Sequence, residues 1–236
     1  MRAVKPWNTA FQRYRSVSLL FSAVQTRCSL RNGLLRDQAI DMIGMDPAFD
    51  HAAEDLWVFG YGSLIWRPGF EYAERVPAHI IGMHRSLCVY SFDHRGTPER
   101  PGLVLGLDFG GACRGIAYRV TAAQRRATLD YLREREQTTA VYRELVRGIW
   151  LAGNPDRHVN ALCYAVDRGH PQYAGRLTHD RQLHIVRQGH GRSGNNRDYV
   201  IETAKALEAL NIVDHELQVL AERLAGSADA HVSAPG

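Results

Sequence analysis

The sequence predicts an α+β fold: a small mixed, mostly antiparallel β-barrel or sheet with flanking helices. Three observations point there. Short β-rich runs recur between residues 56 and 166, turn signals separate them, and the C-terminal third changes to helical periodicity.

The runs are "LWVFG" (56–60), "HIIGMHRSLCVYS" (79–91), "LVLGLDF" (103–109), "CRGIAYRV" (113–120), "VYRELVRGIWLA" (141–152) and "VNALCYAV" (159–166). Their β-branched and aromatic residues suit a pleated, half-buried surface. Turns are expected at Arg67-Pro68-Gly69, Arg95-Gly96-Thr97-Pro98, Gly110-Gly111 and Gly153-Asn154-Pro155. One helix interrupts the strands: Thr121 and Gln124 have capping-box spacing, and helix formers run on towards Glu136. Two helices close the domain. Residues 197–210 lead into Asn211 as a C-cap. Asp214 then caps a last segment with Leu217, Leu220, Ala221 and Leu224 on one face, ended by Gly226.

Apolar residues make up 45% of the 236, enough for one domain with a real core. No apolar run nears the roughly 20 residues that span a bilayer, so no membrane partner is expected. The net charge of +4 conceals an asymmetry. Residues 1–36 hold seven of the 29 Lys and Arg and none of the 25 Asp and Glu, which leaves 22 against 25, a net −3, on residues 37–236. The basic charge therefore belongs to the N-terminal segment, and a nucleic-acid-binding stripe on the folded body is not supported. Residues 1–54 read as a basic extension, either a disordered arm or sequence upstream of a start at Met42 or Met45. No small-x-small site follows their short apolar stretch, so a secretory peptide is not supported. Residues 55–226 form the domain, and residues 227–236 are expected to be a disordered tail.

Cys28, Cys88, Cys113 and Cys163 are widely spaced without a C-x-x-C pair, as in reduced thiols of a cytoplasmic protein. His179, His184 and His190 lie five and six apart, which matches no helical ligand pair, so they read as solvent-facing or loop histidines. No metal is expected.

Four stretches are candidates for function. In "FGYGSL" (59–64), Gly60 and Gly62 allow a ligand to approach bare backbone N–H groups, which in such a turn make an anion-binding concavity. A β-bulge or ligand-free turn explains the same residues equally well. Ser63 lacks the glycines a nucleophile elbow needs at 61 and 65. Residues 189–194 satisfy G-x-G-x-x-G, but no buried strand precedes them and no βαβ unit follows, so dinucleotide binding is not expected. Glu136 shares a helix face with Leu129 and Leu132, which carries its carboxylate inward to a helix C-terminus. Burial and dipole would both raise its pKa towards general-base range, offset in part by Arg133 and Arg135; an exposed, charged helix end is the plainer alternative. Asp93-His94-Arg95-Gly96 lies just past a long strand, either an ordinary polar loop or part of a site.

"VFGYGSLIW" (58–66), "DHRG" (93–96), "YLREREQ" (131–137) and "GRSGNNRDY" (191–199), in this order, resemble the ChaC-type γ-glutamylcyclotransferases over roughly residues 55–225. The resemblance implies the γ-glutamylcyclotransferase-like fold and a small-molecule γ-glutamyl peptide as substrate, typically glutathione. It also implies release of 5-oxoproline and cysteinylglycine without metal or cofactor. Carried onto this chain, Glu136 is the catalytic carboxylate, and Tyr61, Gly62, Ser63 and Leu64 form the substrate-binding loop. Asp93, Arg95 and Tyr199 join as substrate-binding residues. One departure bears on specificity: where some members place a glycine pair and tyrosine after the glutamate, this chain has Gln137-Thr-Thr-Ala-Val-Tyr142. Other γ-glutamyl amino acids or γ-glutamylamines, or a non-catalytic binding module of the same fold, remain alternatives to glutathione cleavage.

Overall fold

A computed structural model of the chain describes residues 47–50, 52–136, 139–153 and 157–229. The expectations for residues 1–46 and 230–236, for Gln137 and Thr138, and for Asn154 and Pro155 of the turn after Gly153 lie outside the described residues. The elements in order are α1 (Pro47–Asp50), β1 (Leu56–Gly60), a 3-10 turn (Ser63–Ile65), β2 (Glu74–Ser91), β3 (Gly102–Val120) and α2 (Ala122–Glu136). There follow β4 (Tyr142–Leu151), β5 (His158–Val166), α3 (His179–Gln188), β6 (His190–Gly191), β7 (Gly194–Asn195), α4 (Asn196–Ala209) and α5 (His215–Asp229).

The sheet closes into a barrel in the order β1-β3-β2-β4-β5, with further pairing of β3 to β5. All strand pairs are antiparallel except β1–β5 and β3–β5, which meet in parallel at Val58↔Leu162 and Leu107↔Ala165. Closure removes the unpaired edges an open sheet would expose. Phe59, Ile80, Leu107, Ile116, Tyr118, Ile149, Leu162 and Tyr164 are at most 1% exposed and fill the core.

The structure corrects the expected turn at Gly110-Gly111. Both glycines lie inside one 19-residue strand, at φ 100° and 69°, opposite Gly82 at φ 85°, where the β2–β3 register shifts between Ile81 and Met83. Three left-handed residues facing one another make a bulge that bends the ribbon rather than reversing it. One long hairpin thus serves two parts of the barrel.

The capping box is also corrected. The Ala122 N–H is taken by Asp55 Oδ1 at 3.0 Å, while Thr121 Oγ1 reaches only the Gln124 side chain, at 3.4 Å. Phe49, Asp50 and Glu54, grouped by composition with the extension, lie against α2: Arg125 donates to the carbonyls of Phe49 and Glu54, and Arg133 Nη1 and Nη2 meet both oxygens of Asp50 at 2.7 and 2.8 Å. At the other end, α5 continues to Asp229, past Gly226. A mid-helix glycine costs about 1 kcal/mol relative to alanine, which does not by itself end a packed helix. Asn211 (φ 55°) and Asp214, whose Oδ1 accepts from Leu217 N at 3.1 Å, sit where C-cap and N-cap were expected.

Helix α3 was not anticipated, and it explains the glycines of residues 189–194. Helix and hairpin bring Gly189 and Gly191 against the backbone of the 93–102 loop: a Cβ on Gly189 would stand 2.6 Å from Arg95 O, and one on Gly191 would strike Asp93 O. These glycines serve close backbone packing. His179, His184 and His190 are all exposed.

Candidate active site

The barrel strand β1 is fully buried and its ladder to β3 ends at Gly60↔Ile116. Beyond it the chain leaves the sheet as Tyr61 and Gly62 and coils into the 3-10 turn, closed by Ile65 N donating to Gly62 O (2.9 Å) and Arg67 N to Ser63 O (2.9 Å). The first N–H groups of any helical turn have no acceptor within it. The N–H groups at the start of this turn thus lack acceptors inside it.

The two glycines of this stretch have different reasons to be glycine. A Cβ on Gly60 would lie 3.0 Å from Leu64 Cβ and 3.4 Å from the Tyr118 ring, so Gly60 is required by packing. A Cβ on Gly62 would meet only Leu105, at 3.8 Å, an ordinary contact. Packing does not demand glycine at 62.

Glu136 is the last residue of α2, on the face of Leu129 and Leu132, both fully buried. Its side chain is 16% exposed, and burial holds its pKa above the ordinary glutamate value, with the Arg135 charge opposing. Arg133 does not share that role. It is taken up by Asp50 and by Glu144, whose Oε1 and Oε2 accept from Nε and Nη2 at 2.8 and 3.0 Å.

Arg135 joins the carboxylate to the turn. Its Nε lies 3.1 Å from Glu136 Oε1, Nη2 donates to Ser63 Oγ at 2.9 Å, and Nη1 donates to the carbonyls of Arg67 and Pro68 and to Tyr131 Oη. One guanidinium thus spans from Glu136 to the turn after β1.

Four tyrosines, Tyr164 among them, feel the charge of the same carboxylate. Tyr61, Tyr142 and Tyr199 all lie within electrostatic reach of Glu136, and burial raises the pKa of each, that of Tyr199 to about 12. Their hydroxyls are fixed: Tyr61 donates to Tyr164 O (2.9 Å) and Tyr142 to Leu105 O (2.8 Å), while Tyr199 accepts from Leu105 N (3.1 Å). Neutral, hydrogen-bonded phenols beside a desolvated carboxylate make a polar wall that stays uncharged as the carboxylate titrates.

Arg95 stands over the Tyr199 ring at 5.3 Å and Trp66 approaches the same ring at 6.4 Å. Asp93 is placed further out. Its carboxylate is half exposed and held by Arg192 Nε at 2.8 Å, beside His94, which bonds Ser193 Oγ at 2.9 Å. Leu64 is buried beneath the turn. The structure thus gathers Glu136, Tyr61, Gly62, Ser63 and Tyr199, with Arg95 alongside and Asp93 on the rim. Sequence reasoning missed Tyr142, Arg135 as a bridge, and Arg85, whose Nε donates to Tyr61 O at 2.5 Å. Only Tyr142 had a sequence signal, its place at the end of the segment following Glu136.

Comparison with known proteins adds a family. The sequence profile described as "ChaC-like protein" matches residues 56–226. A protein of Escherichia coli named glutathione-specific γ-glutamylcyclotransferase is 32% identical over 165 residues, 70% of this chain and 71% of its own. Human glutathione-specific γ-glutamylcyclotransferase 1 is 31% identical over 164 residues, 69% and 74% of the two chains. Among solved structures, a γ-glutamyl cyclotransferase specific to glutathione from yeast superposes with a TM-score of 0.68 at 25% identity, covering 73% of this chain and 96% of that one. Among the described residues, no helix is long and apolar enough to cross a membrane.

Proposed function

The chain belongs to the ChaC-like protein family, and on that premise we propose that it is a γ-glutamylcyclotransferase, a carbon–nitrogen lyase that cleaves glutathione to 5-oxoproline and cysteinylglycine. The supporting observation is the placement of Glu136: a largely buried carboxylate with a raised pKa, tied through one arginine to a turn of backbone donors.

The reaction needs no enzyme nucleophile. The substrate's α-amine attacks its own γ-carbonyl, forms a five-membered ring and expels the cysteinyl nitrogen. Effective molarities for well-oriented intramolecular attack reach about 10⁵–10⁸ M. What remains is proton traffic and positioning. Glu136, ionised at the start, takes a proton from the α-ammonium so that the nitrogen lone pair can attack. The carboxylic acid so formed returns that proton to the departing amide nitrogen as its bond to carbon breaks. The second proton, shed by the attacking nitrogen once it is bonded to the γ-carbon, passes through the same carboxylate to the released amine, which leaves as an ammonium. A raised pKa suits one group to both transfers, a contribution of roughly 10²–10⁴-fold. The backbone N–H groups of Tyr61 to Leu64 hold the glutamyl end, and as fixed dipoles they need no reorganisation. Tyr199 and Arg95 line the side of the departing peptide, with Asp93 on the rim. Cytoplasmic thiol pools would supply the substrate, and glutathione breakdown is the process served.

The test is direct. The protein is incubated separately with glutathione, γ-glutamyl-alanine and γ-glutamyl-ε-lysine, and 5-oxoproline is quantified in each. Release from glutathione well above the other two is expected. No 5-oxoproline from any of them would overturn the proposal.

A further inference from the structure

Arg85 is not part of the proton traffic, yet it contacts the substrate-binding turn more closely than any other cation described. Its side chain is 5% exposed on β2 and its guanidinium is fully engaged. Nε donates to Tyr61 O at 2.5 Å, Nη2 to Arg114 O at 2.6 Å, and Nη1 to Asp214 Oδ2 at 3.0 Å. The other oxygen of Asp214 caps α5 through Leu217 N at 3.1 Å.

We infer that Arg85 is a positioning residue for the proposed reaction: it sets the plane of the Tyr61–Gly62 peptide, and Asp214 locks it to the cap of the last helix. This rests on the proposed function, because only a ligand at the turn gives that plane a purpose. A trans peptide group is planar, so its C=O and N–H point in opposite directions. Holding Tyr61 O on the Arg85 side therefore directs the Gly62 N–H away from Arg85. No strand partner does this, since the β1–β3 ladder stops one residue earlier at Gly60. Gly62 has no side chain to do it either. Without the guanidinium, the peptide at the mouth of the turn is free to rotate, and each binding event must first order it.

The planar fork matters as well as the charge. Three acceptors on three elements (β3, the turn and the α5 cap) are matched by donors in one rigid plane, which a lysine ammonium cannot reproduce. The glutamyl carboxylate keeps its charge throughout the reaction. Contacts that hold it are thus equally strong in ground and transition states, and their loss appears in KM rather than in kcat.

The test uses two variants of the full chain, assayed with the γ-glutamyl substrate it turns over fastest. Arg85→Lys keeps the charge and loses the fork. Asp214→Ser removes the ion pair and keeps a good helix cap. KM is expected to rise roughly tenfold in the first and several-fold in the second, with kcat within about twofold of the parent. A purely structural role predicts the reverse, fewer active molecules at unchanged KM. If Arg85→Lys fails to fold, Asp214→Ser carries the test alone. Unchanged KM in a parent that makes 5-oxoproline would overturn the inference and leave the proposed function standing. No product from the parent itself would overturn both.

Discussion

Ser63 and Arg135 are 72 positions apart in the chain and are joined by a 2.9 Å hydrogen bond from Nη2 to Oγ. The same guanidinium lies 3.1 Å from Glu136 Oε1. The end of α2 and the turn after β1 are therefore one unit, and the charge at its centre tunes the carboxylate.

Arg135→Ala removes that charge. The arginine lowers the Glu136 pKa against the larger effect of burial, so its loss lets the pKa rise further. A general base is active only when ionised. The acid limb of kcat/KM against pH should therefore move to higher pH, and KM should increase as Ser63 loses its anchor. A pH profile of 5-oxoproline release checks this; an acid limb that stays in place or moves down would show that Arg135 does not act on Glu136.

Gly60 and Gly62 should fail differently when replaced by alanine. At Gly60 the new methyl lies 3.0 Å from Leu64 Cβ and against Tyr118, so Gly60→Ala is expected to lose on the order of 1–3 kcal/mol of stability from overpacking. At Gly62 the methyl finds an ordinary 3.8 Å contact with Leu105, so Gly62→Ala should melt close to the parent while KM rises. Thermal melts paired with KM measurements separate the two. Equal destabilisation at both positions would mean that the turn is built only for packing.

These relationships also show how far the sequence could be read. The strand runs and the inward face of Leu129, Leu132 and Glu136 follow from local periodicity, which the barrel and α2 respect. Helix α3 escaped because its buried positions include Gln182 beside Leu183, Ile185 and Val186, which dilutes the apolar stripe. The Gly110-Gly111 pair looks like any turn until Gly82 is seen opposite it. Arg135 reads as an exposed charge in "RERE", and nothing local marks it, because its acceptors Ser63, Arg67 and Pro68 are brought up by the fold. Arg85 is hidden for the same reason. Residues whose role is to join distant segments leave no trace in local spacing.

Asn196 is such a joint. It is completely buried, its Oδ1 accepts from Leu103 N (2.6 Å) and its Nδ2 donates to Leu103 O (2.7 Å), fastening the start of α4 to β3. Asn196→Ala leaves both backbone groups buried and unpaired, at about 1–3 kcal/mol each. A fall in Tm of several degrees is expected; a melt within one degree of the parent would show that water enters and replaces the amide.

Glu136→Gln should separate function from stability. The amide keeps the shape and cannot move a proton, so turnover should fall by roughly 10²–10⁴-fold while glutathione still binds, as calorimetry would measure. Stability should change in the opposite sense. Because burial raises the folded-state pKa above its unfolded value, the folded protein prefers Glu136 protonated. That preference stabilises the fold fully below the unfolded glutamate value and is lost as pH climbs through the raised folded value. At neutral pH the ionised side chain is therefore a liability that glutamine does not carry. The variant should melt higher than the parent at pH 7–8, and its advantage should shrink as the pH is lowered towards 4. Arg135 keeps its bonds to Ser63, Arg67, Pro68 and Tyr131 in the variant, so losing one ion pair does not cancel the gain. A variant that melts lower than the parent at neutral pH would mean that the Arg135 pair outweighs desolvation, and that Glu136 is not held in the poised state that proton transfer requires.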